Sequence, residues 1–250
     1  MGTRGSQLRH PLGHGLKTAV ERGAWTDLLK RLMPPEPRLR ILDVGTGTGF
    51  LAILLAGMGN EVVGMDLSEA MLGVARREAE TRSLQAEFLL GDVESPPQEL
   101  GPFDVVASRH VLWTLKRPEA AVRAWARLLR PNGRVVVIDG LWRSTALSDR
   151  ALAVGGRALR RLRRSQPDDH HGFPASVSGR LPLQHLSSLE PARNLFLRAG
   201  LDSVLCEELA WIDNIERGVM PVDQRLQHRY RRYLLEGRRP NLNTTPISDT

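Results

Sequence analysis

The sequence predicts an α/β protein built on a mostly parallel sheet with helices packed on both faces. Three observations carry that expectation. Short apolar, β-branched runs alternate with segments of helical periodicity between residues 40 and 140. A glycine-rich turn, Asp43-Val-Gly-Thr-Gly-Thr-Gly49, joins the first such run to the helix after it. The alternation stops at Asp139 and resumes near Ser188, which is the signature of one sheet interrupted by an insertion.

The elements follow in order. Leu16, Val20, Trp25, Leu28, Leu29 and Leu32 recur at helical spacing, and Pro34-Pro35 closes that helix. Arg40–Val44 reads as a buried strand, Gly49–Met58 as a helix, and Glu61–Met65 as a second strand. Ser68 is placed to cap the next helix. Ala86–Leu90 and Phe103–Ala107 are the third and fourth strands. A helix from Pro118 to Arg130 begins with proline in its first turn, Pro131-Asn-Gly133 reads as a turn, and Gly133–Ile138 as the fifth strand. Beyond the insertion come a helix over Ser188–Ala199 and strands over Leu201–Leu209 and Arg229–Arg238, seven strands in all. The expected organisation is an N-terminal cap segment and helix (1–39), an α/β core (40–140), a helical and loop insertion acting as a substrate lid (141–188), the rest of the same α/β domain (189–239) and a flexible tail (240–250).

Composition narrows the function. The 250-residue chain is 41% hydrophobic and 25% charged, as expected of an ordinary globular protein, and it contains no apolar run of bilayer-spanning length. With no secretory leader pattern at Met1–Gly15, the expected location is cytoplasmic. The lone Cys206 excludes internal disulfides and cysteine-rich metal sites, and no metal is expected. The formal charge of +7 comes from 35 basic residues of which only Lys17, Lys30 and Lys116 are lysine. Such an arginine bias points to a GC-rich coding genome rather than to a nucleic-acid surface. Asp168-Asp-His-His171 is a weak metal candidate, because adjacent loop residues rarely converge on one ion.

The glycine turn is the decisive motif. Gly45, Gly47 and Gly49, with Thr46 between the first two, let a ligand lie against the backbone at the start of a helix. A dinucleotide fingerprint would place its third glycine at Phe50, and a P-loop would carry lysine and a hydroxyl after its last glycine, where Phe50-Leu51 stand. Asp66 ends the second strand beside this turn, where a carboxylate accepts ribose hydroxyls.

Asp43-x-Gly-x-Gly-x-Gly49, Asp66 and Gly91-Asp-Val93, in that order, resemble the cofactor motifs of class I S-adenosylmethionine-dependent methyltransferases. Phe103-Asp-Val-Val-Ala-Ser-Arg-His-Val-Leu-Trp113 and Leu128-Leu-Arg-Pro-Asn-Gly-Arg134 resemble the branch that contains ubiquinone and menaquinone methyltransferases. The resemblance implies a Rossmann-like fold and S-adenosylmethionine as cofactor, leaving S-adenosylhomocysteine. It implies that Asp43, Gly45, Thr46, Gly47 and Gly49 line the cofactor, that Asp66 holds the ribose, that Leu67 and Met71 pack on the adenosine, and that Asp92 and Val93 meet the adenine. Ser108 and Arg109 belong to the same side, Arg109 as a holder of a cofactor or substrate carboxylate. The segment Ser108-Arg-His-Val111 lacks the Asn/Asp-Pro-Pro-aromatic motif of nucleobase and glutamine methyltransferases.

His110, just after the fourth strand, is the candidate general base, and His14 is a second candidate in an N-terminal segment placed to close over the site. The expected partner is a small-molecule acceptor, methylated on oxygen or nitrogen; assembly as a homodimer is open. Two other readings remain: an RNA methyltransferase using Arg157–Arg164 and Arg225–Arg239 on phosphate, and an enzyme of the same fold using the cofactor for aminopropyl transfer or cyclisation.

Overall fold

The computed structural model describes residues 18–141, 181–183, 186, 188–222, 225 and 231–241. Seven strands form one sheet: β1 (Arg40–Val44), β2 (Glu61–Asp66), β3 (Ala86–Leu90), β4 (Phe103–Arg109), β5 (Leu129–Leu141), β6 (Asp202–Glu208) and β7 (Arg231–Arg238). Their spatial order is β3-β2-β1-β4-β5-β7-β6. The β3-β2-β1-β4-β5 part is parallel, and β7 runs antiparallel to both β5 and β6. Strand order reverses between β1 and β4, and the crevice at their carboxyl ends is where sheets of this type bind ligands.

Among the described residues six α-helices flank the sheet: α1 (Ala19–Leu32), α2 (Phe50–Gly57), α3 (Glu69–Thr81), α4 (Pro118–Arg127), α5 (Glu190–Arg198) and α6 (Ala210–Val219). On one face Leu42, Val44, Val106 and Val137 pack with Trp125 of α4 and Phe196 of α5. On the other, Ile41, Val105 and Ile138 pack with Trp25 of α1, Leu55 of α2 and Leu72 of α3. The central strands meet helices on both faces, which is why their sequences are continuously apolar. Helix α1 starts with a reciprocal capping box: Thr18 Oγ1 accepts from Glu21 N at 3.1 Å, and Thr18 N donates to Glu21 Oε2 at 2.8 Å. Ser68 caps α3 through its side chain, as its position predicts.

Three local expectations are corrected. Helix α4 ends at Arg127, three residues before the expected end, and β5 begins at Leu129. Pro131-Asn-Gly133 therefore lies within the span of β5, where Phe103 pairs with Leu129 but Val105 pairs with Arg134. Asn132 takes a positive φ of 64° there and donates its N–H to the Arg239 carbonyl at 3.0 Å, so a strand irregularity replaces the turn. Helix α6 was not anticipated; its buried residues are Ile212 and Asp213, so a carboxylate stands beside the apolar positions on its inner face. The insertion expected over 141–188 falls almost wholly outside the described residues, as do Arg157–Arg164 and Asp168–His171. Among the described residues no helix is long and apolar enough to cross a membrane.

Candidate cofactor and acceptor site

The turn after β1 is held from both ends. Gly45 N and Thr46 N both donate to the Met65 carbonyl of β2, at 2.8 and 3.0 Å. Asp43 is enclosed beneath the turn, where its Oδ2 accepts from Thr46 Oγ1 at 2.7 Å and from Ala52 N of α2 at 3.1 Å. Burial pushes the Asp43 carboxyl up to about 6 despite those donors and the nearby Arg109. Asp43 thus fastens the turn to the helix from below instead of facing a ligand. Gly45, Gly47 and Gly49 all have positive φ. At Gly45 a Cβ would come within 2.2 Å of Val111 Cγ2, so the glycine turn sits directly against the loop that follows β4.

Asp66 closes the turn from the side. Its Oδ2 accepts from Gly47 N at 2.8 Å and its Oδ1 from Ser68 N at 2.9 Å. Each carboxylate oxygen has a further lone pair, so the half-buried group can still accept a pair of hydroxyls. Leu67 and Met71 are exposed large apolar side chains, and Met71 Sδ lies 3.8 Å from where a Gly47 Cβ would stand. Leu90, the residue paired with Asp66 across β2 and β3, is also exposed; it was missed because its strand reads as core. Asp92 is exposed, with Oδ1 accepting from Glu94 N at 2.9 Å. Val93 differs from the expectation: its side chain joins the core and its carbonyl accepts from Trp125 Nε1 at 2.7 Å. Ser108 is likewise enclosed, its Oγ without a partner among the described residues, and it offers no surface to a cofactor.

The end of β4 supplies two further polar side chains, Arg109 and His110. Arg109 stacks its guanidinium 3.9 Å above the Phe50 ring of α2 and 5.1 Å from the Trp25 ring of α1. It acts electrostatically on both Asp43 and Asp139. His110 has a positive φ of 59° and is fixed by its N–H donating to the Ile138 carbonyl at 3.0 Å. Its Nδ1 lies 3.7 Å from Asp139 Oδ1. Asp139 was not assigned a role from the sequence; its only local signal is a carboxylate at the end of the apolar run Val135–Ile138. His14 lies outside the described residues. The structure therefore brings together Gly47, Asp66 and Met71 at the turn, places Gly45 against Val111, and sets His110 beside Asp139.

Sheet order, glycine turn and ribose-type carboxylate define a protein class: an α/β enzyme fold built around an adenosine-bearing cofactor. A family model described as a methyltransferase domain matches residues 42–137. The ubiquinone biosynthesis O-methyltransferase of Xanthomonas oryzae pv. oryzae is 33% identical over 174 residues, covering 66% of this chain and 71% of that protein. The demethylmenaquinone methyltransferase of Thermus thermophilus is 42% identical over 102 residues, 40% of this chain. The match takes in 46% of that relative, so the chain spans about half its length. Among solved structures, a Haemonchus contortus phosphoethanolamine N-methyltransferase in complex with S-adenosylhomocysteine shares the fold at a TM-score of 0.60 and 19% identity, covering 86% of this chain and 52% of that one. This chain belongs to the class I S-adenosylmethionine-dependent methyltransferases, in the branch of the quinone methyltransferases. The cofactor of that family is S-adenosylmethionine, and the open side of the turn at Gly47, the Asp66 carboxylate and the exposed apolar pair Leu67 and Met71 fit it.

Proposed function

We propose that this protein transfers a methyl group from S-adenosylmethionine to an oxygen or nitrogen atom of a small-molecule acceptor by direct displacement. The observation that carries the reading is Asp66, fixed by two backbone donors at 2.8 and 2.9 Å beside a turn of three positive-φ glycines. When bound, the cofactor supplies an electrophilic methyl group on a sulfonium. Gly47 leaves room for it, while Gly45 and Gly49 shape the turn against Val111 and Ala75; Asp66 would accept its ribose hydroxyls, and Leu67 and Met71 would cover its adenosine, with Asp92 at the adenine end. Thr46 and Asp43 keep the turn in shape. Arg109 is the described cation nearest Asp43 by its electrostatic influence and suits a carboxylate on cofactor or acceptor. His110 is the base candidate, because Val111 puts it one residue from the glycine turn. The relatives named for ubiquinone and demethylmenaquinone support a small organic acceptor over a polynucleotide.

Calorimetric titration of the full chain with S-adenosylhomocysteine tests this. Micromolar or tighter binding is expected, weakened at least tenfold in Asp66→Ala and in Asp66→Asn, with NADH failing to compete. Preference for NADH, or binding indifferent to both substitutions, would overturn the assignment. Mass spectrometry of turnover products then separates S-adenosylhomocysteine, expected here, from methylthioadenosine, the product of aminopropyl chemistry.

A further inference from the structure

Asp139 is a fully enclosed carboxylate placed where no packing argument requires one. Its Oδ1 accepts from Gly140 N at 2.8 Å and its Oδ2 from Trp113 N at 3.1 Å, with the Leu112 amide also acting on it. These amides fix the orientation of the carboxyl plane. His110 Nδ1, itself sealed from solvent, lies 3.7 Å from Oδ1. The His110 side chain is nevertheless 22% exposed, so its open edge lies away from Nδ1. Across the antiparallel β5–β7 pair Asp139 faces Tyr233, a buried phenol whose Oη has no partner among the described residues. Among the described residues, the charged and titratable groups around Asp139 include His110 and Arg109 from β4 and its end, and Tyr233 from β7, with Cys206 of β6 acting on Tyr233.

We infer that Asp139 is a positioning residue for His110, its carboxylate placed 3.7 Å from Nδ1 to balance the imidazolium, and that the acceptor served by the pair is a hydroxyl which must lose its proton. This rests on the methyl-transfer reading above. A neutral amine attacks without a base; a hydroxyl gains from one. The acceptor O–H proton passes to His110 Nε2 as the oxygen forms its bond to the methyl carbon. The carbon–sulfur bond breaks with its electron pair on sulfur, leaving a neutral thioether, a methyl ether and a protonated His110 beside Asp139. Burial pushes the Asp139 carboxyl up to about 7, with the surrounding amides and Arg109 pulling the other way. Its ionisation consequently depends on a neighbouring positive charge, and charging His110 supplies one.

The test is an NMR titration of the full chain saturated with S-adenosylhomocysteine. The imidazole nitrogens of His110 are followed in wild type and in Asp139→Asn. An opposite charge within about 4–6 Å moves a titration by roughly one to three units, so the His110 midpoint should fall by about one unit or more in the variant. Asp139→Asn places an amide against backbone donors and can fail to fold, so the reciprocal measurement is made in His110→Asn, whose asparagine tolerates positive φ. There the carboxyl carbon of Asp139 should titrate at higher pH than in wild type, since coupling between two sites is mutual. Midpoints that stay put in either measurement would overturn the pairing, and with it the hydroxyl acceptor. Failure of wild type to bind S-adenosylhomocysteine would instead strike the methyltransferase reading, while the titrations of the unliganded chain would still report on the pair.

Discussion

Gly45 is where the glycine turn meets the corner after β4, and its lack of a side chain has two separate causes. Its φ of 71° is costly for an L-residue, about 1–2 kcal/mol. Its Cα also faces Val111 so closely that a methyl group would overlap Cγ2 at 2.2 Å. The second effect is larger, because Val111 belongs to the backbone corner that fixes His110 and cannot retreat without moving it. Gly45→Ala is therefore expected to weaken S-adenosylhomocysteine binding at least tenfold. Gly45→Ala with Val111→Ala should recover part of that loss, leaving the φ cost alone. Calorimetry on the two single variants and the double reads the coupling; strictly additive losses would show that the two loops act independently. Sequence reasoning finds Gly45 as a conformational requirement, but the Val111 contact depends on β1 and β4 lying side by side, and no local pattern encodes it.

At the scale of elements, what was legible is what local chemistry determines. The bounds of β1 and β3 match the sequence reading because each is a short apolar run cut off by turn residues. Ser68 was recognisable as a cap because capping is decided within four residues. Helix α6 was not legible because non-local ions hold it. Asp213 on α6 accepts from Arg232 N at 2.8 Å and Arg232 Nη1 at 2.9 Å, while Glu216 accepts from Arg232 Nη2 at 2.9 Å and from Trp25 Nε1 of α1 at 3.0 Å. Arg232 is fully buried on β7 and lies over the Trp25 ring. Burial raises the Asp213 carboxyl even beside this arginine, so the cluster is a costly one made tolerable by the bonds that both guanidinium Nη atoms make to carboxylates. Removing one partner leaves the other charge stranded. Asp213→Ala is expected to lower stability in urea by about 3–5 kcal/mol. Replacing an exposed pair such as Arg123–Glu119 should change it by less than about 1 kcal/mol. Equal effects would mean that α6 docks by apolar contact alone. Asp139 escaped the sequence reading for the same reason, since its meaning comes from the register that sets Tyr233 opposite it and His110 beside it.

At the scale of the whole molecule, the site leaves its mark on stability as a function of pH. Asp43 and Asp139 are both enclosed, and burial raises them from the ordinary 3.8 to about 6 and about 7. A carboxyl raised in the fold keeps its proton after the unfolded chain has lost it. Between about pH 4 and pH 7 the native state therefore binds more protons, and stability falls as pH rises through that window. Glu94, lowered by the Arg117 and Lys116 amides and the Arg117 side chain, and the exposed Glu119, lowered by Arg198, work in the opposite sense. The formal charge of +7 adds self-repulsion that grows as pH falls, so the wild-type curve alone mixes several effects. Asp43→Asn separates them: the amide oxygen can still accept from Thr46 and Ala52, but nothing is left to titrate. The stability difference between Asp43→Asn and wild type is expected to shift in favour of the variant by on the order of 3 kcal/mol from pH 4 to pH 7, one pKa unit being about 1.4 kcal/mol. Urea unfolding at half-unit pH steps measures it. A difference that stays flat across the window would mean that Asp43 ionises as easily in the fold as in water. In that case the glycine turn would be held by a charged carboxylate, and the tight Thr46 and Ala52 contacts would be charge-assisted bonds and not the bonds of a buried, largely neutral acid.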